Sequence, residues 1–85
     1  MEELTITNNS QESRFQAELG GHLAMLNYQI LGGMFQIDYV YVPALYRNRG
    51  YGSQLMEAAL TFARENGLKV MPVCSYARAY MARDA

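Results

Sequence analysis

The first half of the chain alternates polar and apolar residues with the period of β-strands. Four segments show this alternation or are rich in β-branched and aromatic residues. They are Leu4–Thr7, Arg14–Leu19, Leu23–Leu31 and Met34–Val42. Gly20-Gly21 and Gly32-Gly33 separate the last three segments, and paired glycines are typical of hairpin turns. The pattern therefore predicts four consecutive antiparallel strands.

The period of the apolar residues changes to that of an α-helix between Ser53 and Asn66. The apolar stripe consists of Leu55, Met56, Ala59, Leu60, Phe62 and Ala63. Gly67 follows at the position where helices often end in a left-handed residue. Leu68–Cys74 predicts a fifth, apolar strand, and Ser75 is a suitable cap for a last helix from Tyr76 to about Arg83.

Together these elements predict an α+β fold. A mixed, mostly antiparallel five-stranded sheet would carry one long and one short helix, in the order ββββαβα. The helix between the fourth and fifth strands is long enough for a right-handed crossover, so we expect these two strands to be parallel. A chain of 85 residues has room for one domain, and residues 1–85 are predicted to form it.

The balance of charged residues argues against a nucleic-acid partner. Seven Lys and Arg residues against eight Asp and Glu residues give a net charge of −1, which removes the main attraction to polyanions. The single cysteine, Cys74, and the single histidine, His22, predict neither a disulfide nor a metal site. The acidic start is unlike a signal peptide, and no apolar run approaches the roughly 20 residues that cross a membrane. We therefore expect a cytoplasmic protein without a membrane partner.

The loop Arg47–Ser53 leads from the fourth predicted strand into the long helix. Glycines 50 and 52 allow a tight turn and let backbone N–H groups approach a ligand. The first amides of a helix have no internal partners and lie at its positive end, which suits a phosphate. Arg47 and Arg49 add positive charge, although the loop lacks the Lys-Ser/Thr of a Walker A motif. The alternative is that the glycines relieve crowding and the arginines are merely solvated.

The spacing Arg47-x-x-Gly50-x-Gly52 resembles the acetyl-CoA signature of the GNAT superfamily of N-acetyltransferases, Arg/Gln-x-x-Gly-x-Gly/Ala. The resemblance spans Phe15 to Tyr80 and is strongest to the minimal, stand-alone members. The segments that carry it are Tyr41-Val42-Pro43, Arg49-Gly50-Tyr51-Gly52-Ser53, Ala58-Ala59-Leu60 and Pro72-Val73-Cys74-Ser75-Tyr76.

The resemblance implies a GNAT fold with acetyl-CoA as its coenzyme. In such folds two neighbouring strands splay apart, the pyrophosphate lies on the loop, and the pantetheine arm lies along the exposed strand edge. The coenzyme-binding residues it implies here are Tyr41, Val42, Arg47, Asn48, Arg49, Gly50, Tyr51, Gly52 and Ser53.

Two residues near the end of the fifth strand are implied to be catalytic, Tyr76 and Cys74. A tyrosine commonly protonates the leaving thiolate in this superfamily, and Tyr76 or Tyr80 could do so. Cys74 is a suspected acyl acceptor in the minimal members, although it is equally suited to be a small core residue. Relatives often carry His-Thr where this chain has Tyr39-Val40, so no general base is assigned.

Strict alternation along the fourth strand places its aromatic residues together. Side chains two residues apart lie on one face of a strand. The expected face contains Phe35, Ile37, Tyr39 and Tyr41 and would be mostly core, with Tyr39 or Tyr41 as an alternative lining of the acceptor cleft. Asp38 would then lie on the opposite face, away from both tyrosines.

Three functions remain open from the sequence. The first is an N-acetyltransferase that moves an acetyl group from acetyl-CoA to a small-molecule or protein amine. The second is a GNAT-like module that binds CoA or an acyl-CoA without efficient turnover, which the missing histidine favours. The third is an interaction domain with a vestigial loop, because a fold alone does not establish activity.

Overall fold

A computed structural model describes residues 3–83. The elements in chain order are β1 (Thr7–Asn9), β2 (Arg14–Leu19), β3 (His22–Leu31), β4 (Met34–Tyr41), α1 (Tyr51–Glu65), β5 (Lys69–Pro72) and α2 (Ser75–Arg83), with a short 3-10 turn at Ala44–Tyr46. The strands form one sheet in the order β1-β2-β3-β4-β5. The first four are antiparallel and β5 runs parallel to β4. The predicted α+β fold, its mixed sheet and its order of elements are confirmed.

Both glycine pairs form the hairpin turns that the sequence predicts. Gly20 and Gly21 have φ angles of 56° and 81°, and Gly32 and Gly33 have φ angles of 52° and 81°. Two consecutive residues at positive φ are the signature of a type I′ turn, whose twist matches that of the strands it joins. Side chains with a Cβ atom are strained there, which explains the glycines.

Helix α1 packs its apolar stripe on one face of the sheet. Its most deeply buried residues are Leu55, Met56, Ala59 and Ala63, all with no solvent-exposed area. Phe62 joins them through edge contacts with Phe15, at 5.7 Å between ring centroids. Helix α2 adds Ala77 and Tyr80 to the same core. Within residues 3–83, neither helix is both long and apolar enough to cross a membrane.

The first strand lies later in the chain than predicted. The predicted Leu4–Thr7 is replaced by β1 at Thr7–Asn9, although Leu4 still packs against the core. Asn8 and Asn9 are extended because their side chains form hydrogen bonds with residues of other strands. The Tyr28 hydroxyl donates to Asn8 Oδ1 at 2.7 Å, and Asn9 Nδ2 donates to Gln16 Oε1 at 3.2 Å. Tertiary contacts thus outweigh the preference of asparagine for turns.

Other boundaries differ from the predicted ones by one or two residues. Strand β4 ends at Tyr41 instead of Val42, and β5 covers only Lys69–Pro72 of the predicted Leu68–Cys74. Helix α1 begins at Tyr51, two residues before the predicted Ser53. The loop before α1 is therefore shorter than predicted, and the two loop residues Gly52 and Ser53 belong to its first turn.

A β-bulge at Asp38 interrupts the regular pairing of β4 with β3. Ile37 lies opposite Tyr28 and Tyr39 lies opposite Asn27. Asp38 is therefore one extra residue with no partner on β3. A bulge of this kind bends its strand, increases the local twist and reverses the alternation of side chains beyond it.

The bulge changes which residues of β4 reach the core. Val40 pairs with the fully buried Leu26 and packs against the core, whereas Tyr39 is 48% exposed. Tyr39 and Tyr41 therefore lie on the face of the sheet away from α1, together with Asp38. Phe35 and Ile37 are buried as predicted, but the two tyrosines do not continue their face, and the prediction that Asp38 faces away from the tyrosines is wrong.

Candidate functional site

Strands β4 and β5 separate halfway along β4. Their pairing ends at Ile37 and Pro72. The carbonyl of Ile37 accepts the last two bonds from this side, from the Val73 N–H at 2.9 Å and the Cys74 N–H at 3.3 Å. β4 then continues to Tyr41, whereas β5 ends and the chain after it enters α2. Within residues 3–83, the second half of β4 has no strand partner on its β5 side.

The N-terminus of α1 is open. The residue that precedes it, Gly50, has a left-handed backbone at φ 81° and provides no side-chain cap. The first helical bond runs from the Gln54 N–H to the Gly50 carbonyl at 3.2 Å. Of residues 3–83, none accepts a hydrogen bond from the amides of Tyr51, Gly52 or Ser53. The positive end of the helix dipole is therefore unopposed.

One cleft of about 750 Å³ contains both features. The open end of α1 forms one wall and the unpaired half of β4 forms another. Of the nine residues predicted to bind the coenzyme, those that line the cleft are Tyr41, Val42, Arg47, Asn48, Gly50, Tyr51, Gly52 and Ser53. A diphosphate on the amides and an extended chain along the strand edge would fit this arrangement.

The two arginines of the loop have different positions. Arg47 lines the cleft, donates from Nε to the Val42 carbonyl at 2.8 Å and lies 5.8 Å from the centre of the Tyr41 ring. Arg49 does not line the cleft, because its guanidinium lies over the Tyr46 ring at 5.5 Å. Arg47 thus holds the loop against the end of β4, whereas Arg49 packs on the ring of Tyr46.

Helix α2 supplies the third wall of the cleft. Tyr76 lines it, and its hydroxyl is 2.7 Å from where a Cβ atom on residue 52 would be. This contact explains the glycine at position 52, where a side chain would displace the tyrosine. The Tyr76 ring stacks on Tyr80 at 6.5 Å, and the Arg83 guanidinium lies 5.8 Å from the Tyr80 ring.

Sequence reasoning missed two residues that line the cleft, Arg83 and Tyr46. Arg83 follows Tyr76 by seven residues, and this spacing places two helical side chains on the same face. The spacing was therefore a usable signal for Arg83. Tyr46 had no such signal, because it lies in the 3-10 turn and its hydroxyl reaches the β2–β3 turn beside Gly20.

Cys74 caps α2 and does not line the cleft. Its Sγ accepts a hydrogen bond from the Ala77 N–H at 3.3 Å, and its carbonyl accepts one from the Arg78 N–H at 3.1 Å. The side chain is half-buried and packs against the core. The prediction that Ser75 caps this helix is wrong, because Ser75 is its first residue and the preceding cysteine takes that role.

The candidate bases lie outside the cleft. The carboxylate of Asp38 accepts hydrogen bonds from the side-chain amides of Gln29 at 2.8 Å and Gln36 at 2.7 Å. His22 is exposed beside the β2–β3 turn. Among the described residues that line the cleft, none is a histidine, an aspartate or a glutamate.

Comparison with known proteins identifies a family for this chain. The sequence profile of the family described as GCN5-related N-acetyl-transferase matches residues 14–85. The chain is 31% identical over 84 residues to Protein NATD1 of Mus musculus, covering 95% of this chain and 76% of that protein. It is 30% identical over the same length to Protein NATD1 of Gallus gallus, with the same coverage.

Proposed function

This chain belongs to the GCN5-related N-acetyltransferase family, and we propose that it binds acetyl-CoA in the cleft and transfers the acetyl group to an amine. The observation that carries the proposal is the meeting of two unsatisfied backbone surfaces in one cleft. The open amides of α1 suit a diphosphate, and the unpaired edge of β4 suits the amide groups of a pantetheine arm.

The diphosphate would be held mainly by backbone groups. The amides of Tyr51, Gly52 and Ser53 form the positive end of α1, where an anion is stabilised by the helix dipole. The terminal amino groups of Arg47 carry no hydrogen bond within residues 3–83, and Arg47 lines the same cleft. They would add a charge-assisted contact to the phosphate oxygens.

Acetyl-CoA, when bound, supplies an acetyl thioester. The residues of this chain would position that thioester and the amine, and positioning can supply roughly 7–11 kcal/mol of a barrier. A backbone N–H near Val42 would donate to the carbonyl oxygen as it gains negative charge. The Tyr76 hydroxyl, from the facing wall, would give a proton to the departing sulfur.

A second function has one observation in its favour. Because none of the described residues lining the cleft is a histidine or a carboxylate, the cleft lacks a side chain suited to deprotonate a basic amine. A domain that binds CoA or an acyl-CoA without turnover would need no such group. The two functions share the coenzyme site and differ in whether an acetyl group leaves it.

Thermal unfolding with CoA and with acetyl-CoA tests the shared site. Ligand at about 100 times its dissociation constant should stabilise the wild-type protein by about 2.7 kcal/mol. Ser53→Glu should abolish this stabilisation, because it places a carboxylate where the diphosphate binds. The same glutamate lies in the first turn of α1, where its negative charge should stabilise the free protein by about 0.3–1 kcal/mol relative to the wild type.

Ser53→Ala is the matched control and should retain the ligand effect. Absence of stabilisation by either ligand in the wild type would exclude both coenzyme functions. If stabilisation is seen, thiol release from acetyl-CoA with a panel of amines separates the enzyme from the binding module. Release that depends on an amine supports the transferase, and its absence with every amine supports the module.

A further inference from the structure

The face of the sheet away from α1 carries a tyrosine pair at the mouth of the cleft. The rings of Tyr39 and Tyr41 are nearly parallel, with 6.2 Å between centroids and 16° between planes. Tyr39 is 48% exposed, and both residues line the cleft. They lie where β4 leaves β5, next to the strand edge proposed for the thioester arm. An acceptor that reaches the thioester from this face must pass over the pair.

Two cationic side chains lie near the pair, and the carboxylate of the neighbouring Asp38 is engaged by hydrogen bonds from two glutamine side chains. The Arg47 guanidinium lies 5.8 Å from the centre of the Tyr41 ring, within the range of a cation–π contact. Arg83 lines the same cleft from the end of α2. The face of Tyr41 that could bind a protonated alkylamine is therefore already used by Arg47, and Arg83 adds a positive charge to the cleft. Both effects disfavour an amine that is charged at neutral pH.

We propose that the acceptor is an aromatic amine whose ring packs on Tyr39 and whose amino group is neutral at physiological pH. The inference rests on the proposed transferase function and names its substrate class. Aromatic rings attract one another in offset or tilted contacts, and the exposed Tyr39 ring offers such a surface without displacing the core. Tyr41 then serves as the inner part of the same surface.

This substrate class removes the need for a general base in the cleft. The nitrogen of an aromatic amine carries a free lone pair at pH 7, whereas an alkylamine with a pKa of about 10 must first lose a proton. In the transfer, a bond forms between that nitrogen and the acetyl carbon, and the carbon–sulfur bond breaks. The sulfur leaves as the CoA thiolate and is protonated by Tyr76 or water, and the nitrogen loses its proton to water.

Two isomeric amines test the charge argument. 4-Methylaniline is neutral at pH 7 and benzylamine is cationic, yet both have the same atoms and an aromatic ring. With acetyl-CoA, we expect kcat/KM for 4-methylaniline to exceed that for benzylamine by at least about tenfold at pH 7. Equal or faster transfer to benzylamine would overturn the proposal.

Variants of Tyr39 test the aromatic surface. Tyr39→Leu should lower kcat/KM for 4-methylaniline by about tenfold, mainly through KM, whereas Tyr39→Phe should retain most of it. Leu45→Ala removes another exposed apolar side chain, at 77% exposure and outside the cleft, and is the surface control. If Tyr39→Leu and Tyr39→Phe behave alike, the ring of Tyr39 does not bind the acceptor.

Saturation-transfer NMR of 4-methylaniline separates failure of the acceptor from failure of the transferase. The signal should be present with wild-type protein and CoA, and it should weaken in Tyr39→Leu. If acetyl-CoA does not bind, the proposed function fails. Saturation transfer to 4-methylaniline in the absence of coenzyme would still show whether the aromatic ring contacts the protein. Absence of any transfer of saturation to the aromatic amine would overturn the inference even where acetyl-CoA binds.

Discussion

The N-termini of the two helices present the same backbone chemistry and are treated differently. Each begins with amides that have no partner inside the helix. At α2, the preceding Cys74 accepts a hydrogen bond from Ala77 and closes the end. At α1, the preceding Gly50 has no side chain, and its left-handed backbone leaves the first three amides open to the cleft. Within residues 3–83, the helix N-terminus that lacks a side-chain cap is also the one that faces the unpaired strand.

The difference between the helix ends has a cause in the sheet. The bulge at Asp38 bends β4, so that its second half leaves β5 and opens the cleft beside α1. The N-terminus of α2, in contrast, follows β5 closely, and the N–H groups of Val73 and Cys74 still donate hydrogen bonds to the Ile37 carbonyl. The open helix end is therefore useful because the strand beside it is open as well.

Deletion of Asp38 should have the largest effect on the open helix end and the strand beside it. Ile37 and Tyr39 already lie opposite adjacent residues of β3, so the deletion removes the bulge without shifting either register. The strand would lose its bend and the cleft beside α1 would narrow. We expect CoA affinity to fall by about a hundredfold, or about 2.8 kcal/mol, as measured by isothermal titration calorimetry.

Asp38→Ala is the matched control for the deletion. It removes the carboxylate that accepts hydrogen bonds from Gln29 and Gln36 but keeps the extra residue. Its CoA affinity should stay within about threefold of the wild type, since surface polar contacts contribute little. If the substitution weakens binding as much as the deletion does, then the side chain matters and the bulge does not.

Substitution at Gly52 should have the next largest effect. A Cβ atom there would lie 2.7 Å from the Tyr76 hydroxyl, so Gly52→Ala should push the ring of Tyr76 into the cleft. We expect CoA affinity to fall by about tenfold, which is about 1.4 kcal/mol. The exposed end of the tyrosine can move, so the stability of the free protein should change little.

The Tyr76→Ala background tests this explanation through a double-mutant cycle. Without the ring, Gly52→Ala meets no clash and gains helix propensity, which should stabilise the free protein by up to about 1 kcal/mol. CoA affinity should then be the same with glycine or alanine at position 52. An equal loss of affinity from Gly52→Ala in both backgrounds would show that the methyl group obstructs the ligand itself.

The elements of the fold could be predicted because local and tertiary signals agree. The glycine pairs demand turns at positive φ, and the apolar stripe of α1 matches one buried face. The loop Arg47–Ser53 could be located as well, since its glycines and arginines mark a strand-to-helix connection. Its position at the cleft follows from the order of the elements, which the sequence pattern also predicts.

The bulge could not be predicted from alternation. Asp38 follows the buried Ile37 as a polar residue of a regular strand would, so its residue type does not mark it as a bulge. The pattern of apolar residues is satisfied by placing either Tyr39 or Val40 on the core face. The choice is made by the partner strand, where Leu26 takes Val40. Contacts between residues distant in the sequence therefore determine which residue faces the core, and a local pattern contains no information about such contacts.

Substitution of Cys74 should have the smallest effect and tests the closed helix end. Cys74→Ala removes the acceptor of the Ala77 N–H and should cost about 1 kcal/mol of unfolding free energy. Cys74→Ser keeps an acceptor there and should unfold close to the wild type. Equal destabilisation by both would show that packing of the sulfur, not capping, stabilises the helix.

The same pair of variants separates the cap from the predicted catalytic thiol. Because the sulfur caps α2 and does not line the cleft, Cys74→Ser should retain acetyl transfer, and intact mass after incubation with acetyl-CoA should show no acetyl group on Cys74. A wild-type protein that gains one acetyl group, lost in Cys74→Ser together with turnover, would instead make the thiol an acyl acceptor. In that case the hydrogen bond from Ala77 would orient a nucleophile, and both helix ends would serve the reaction.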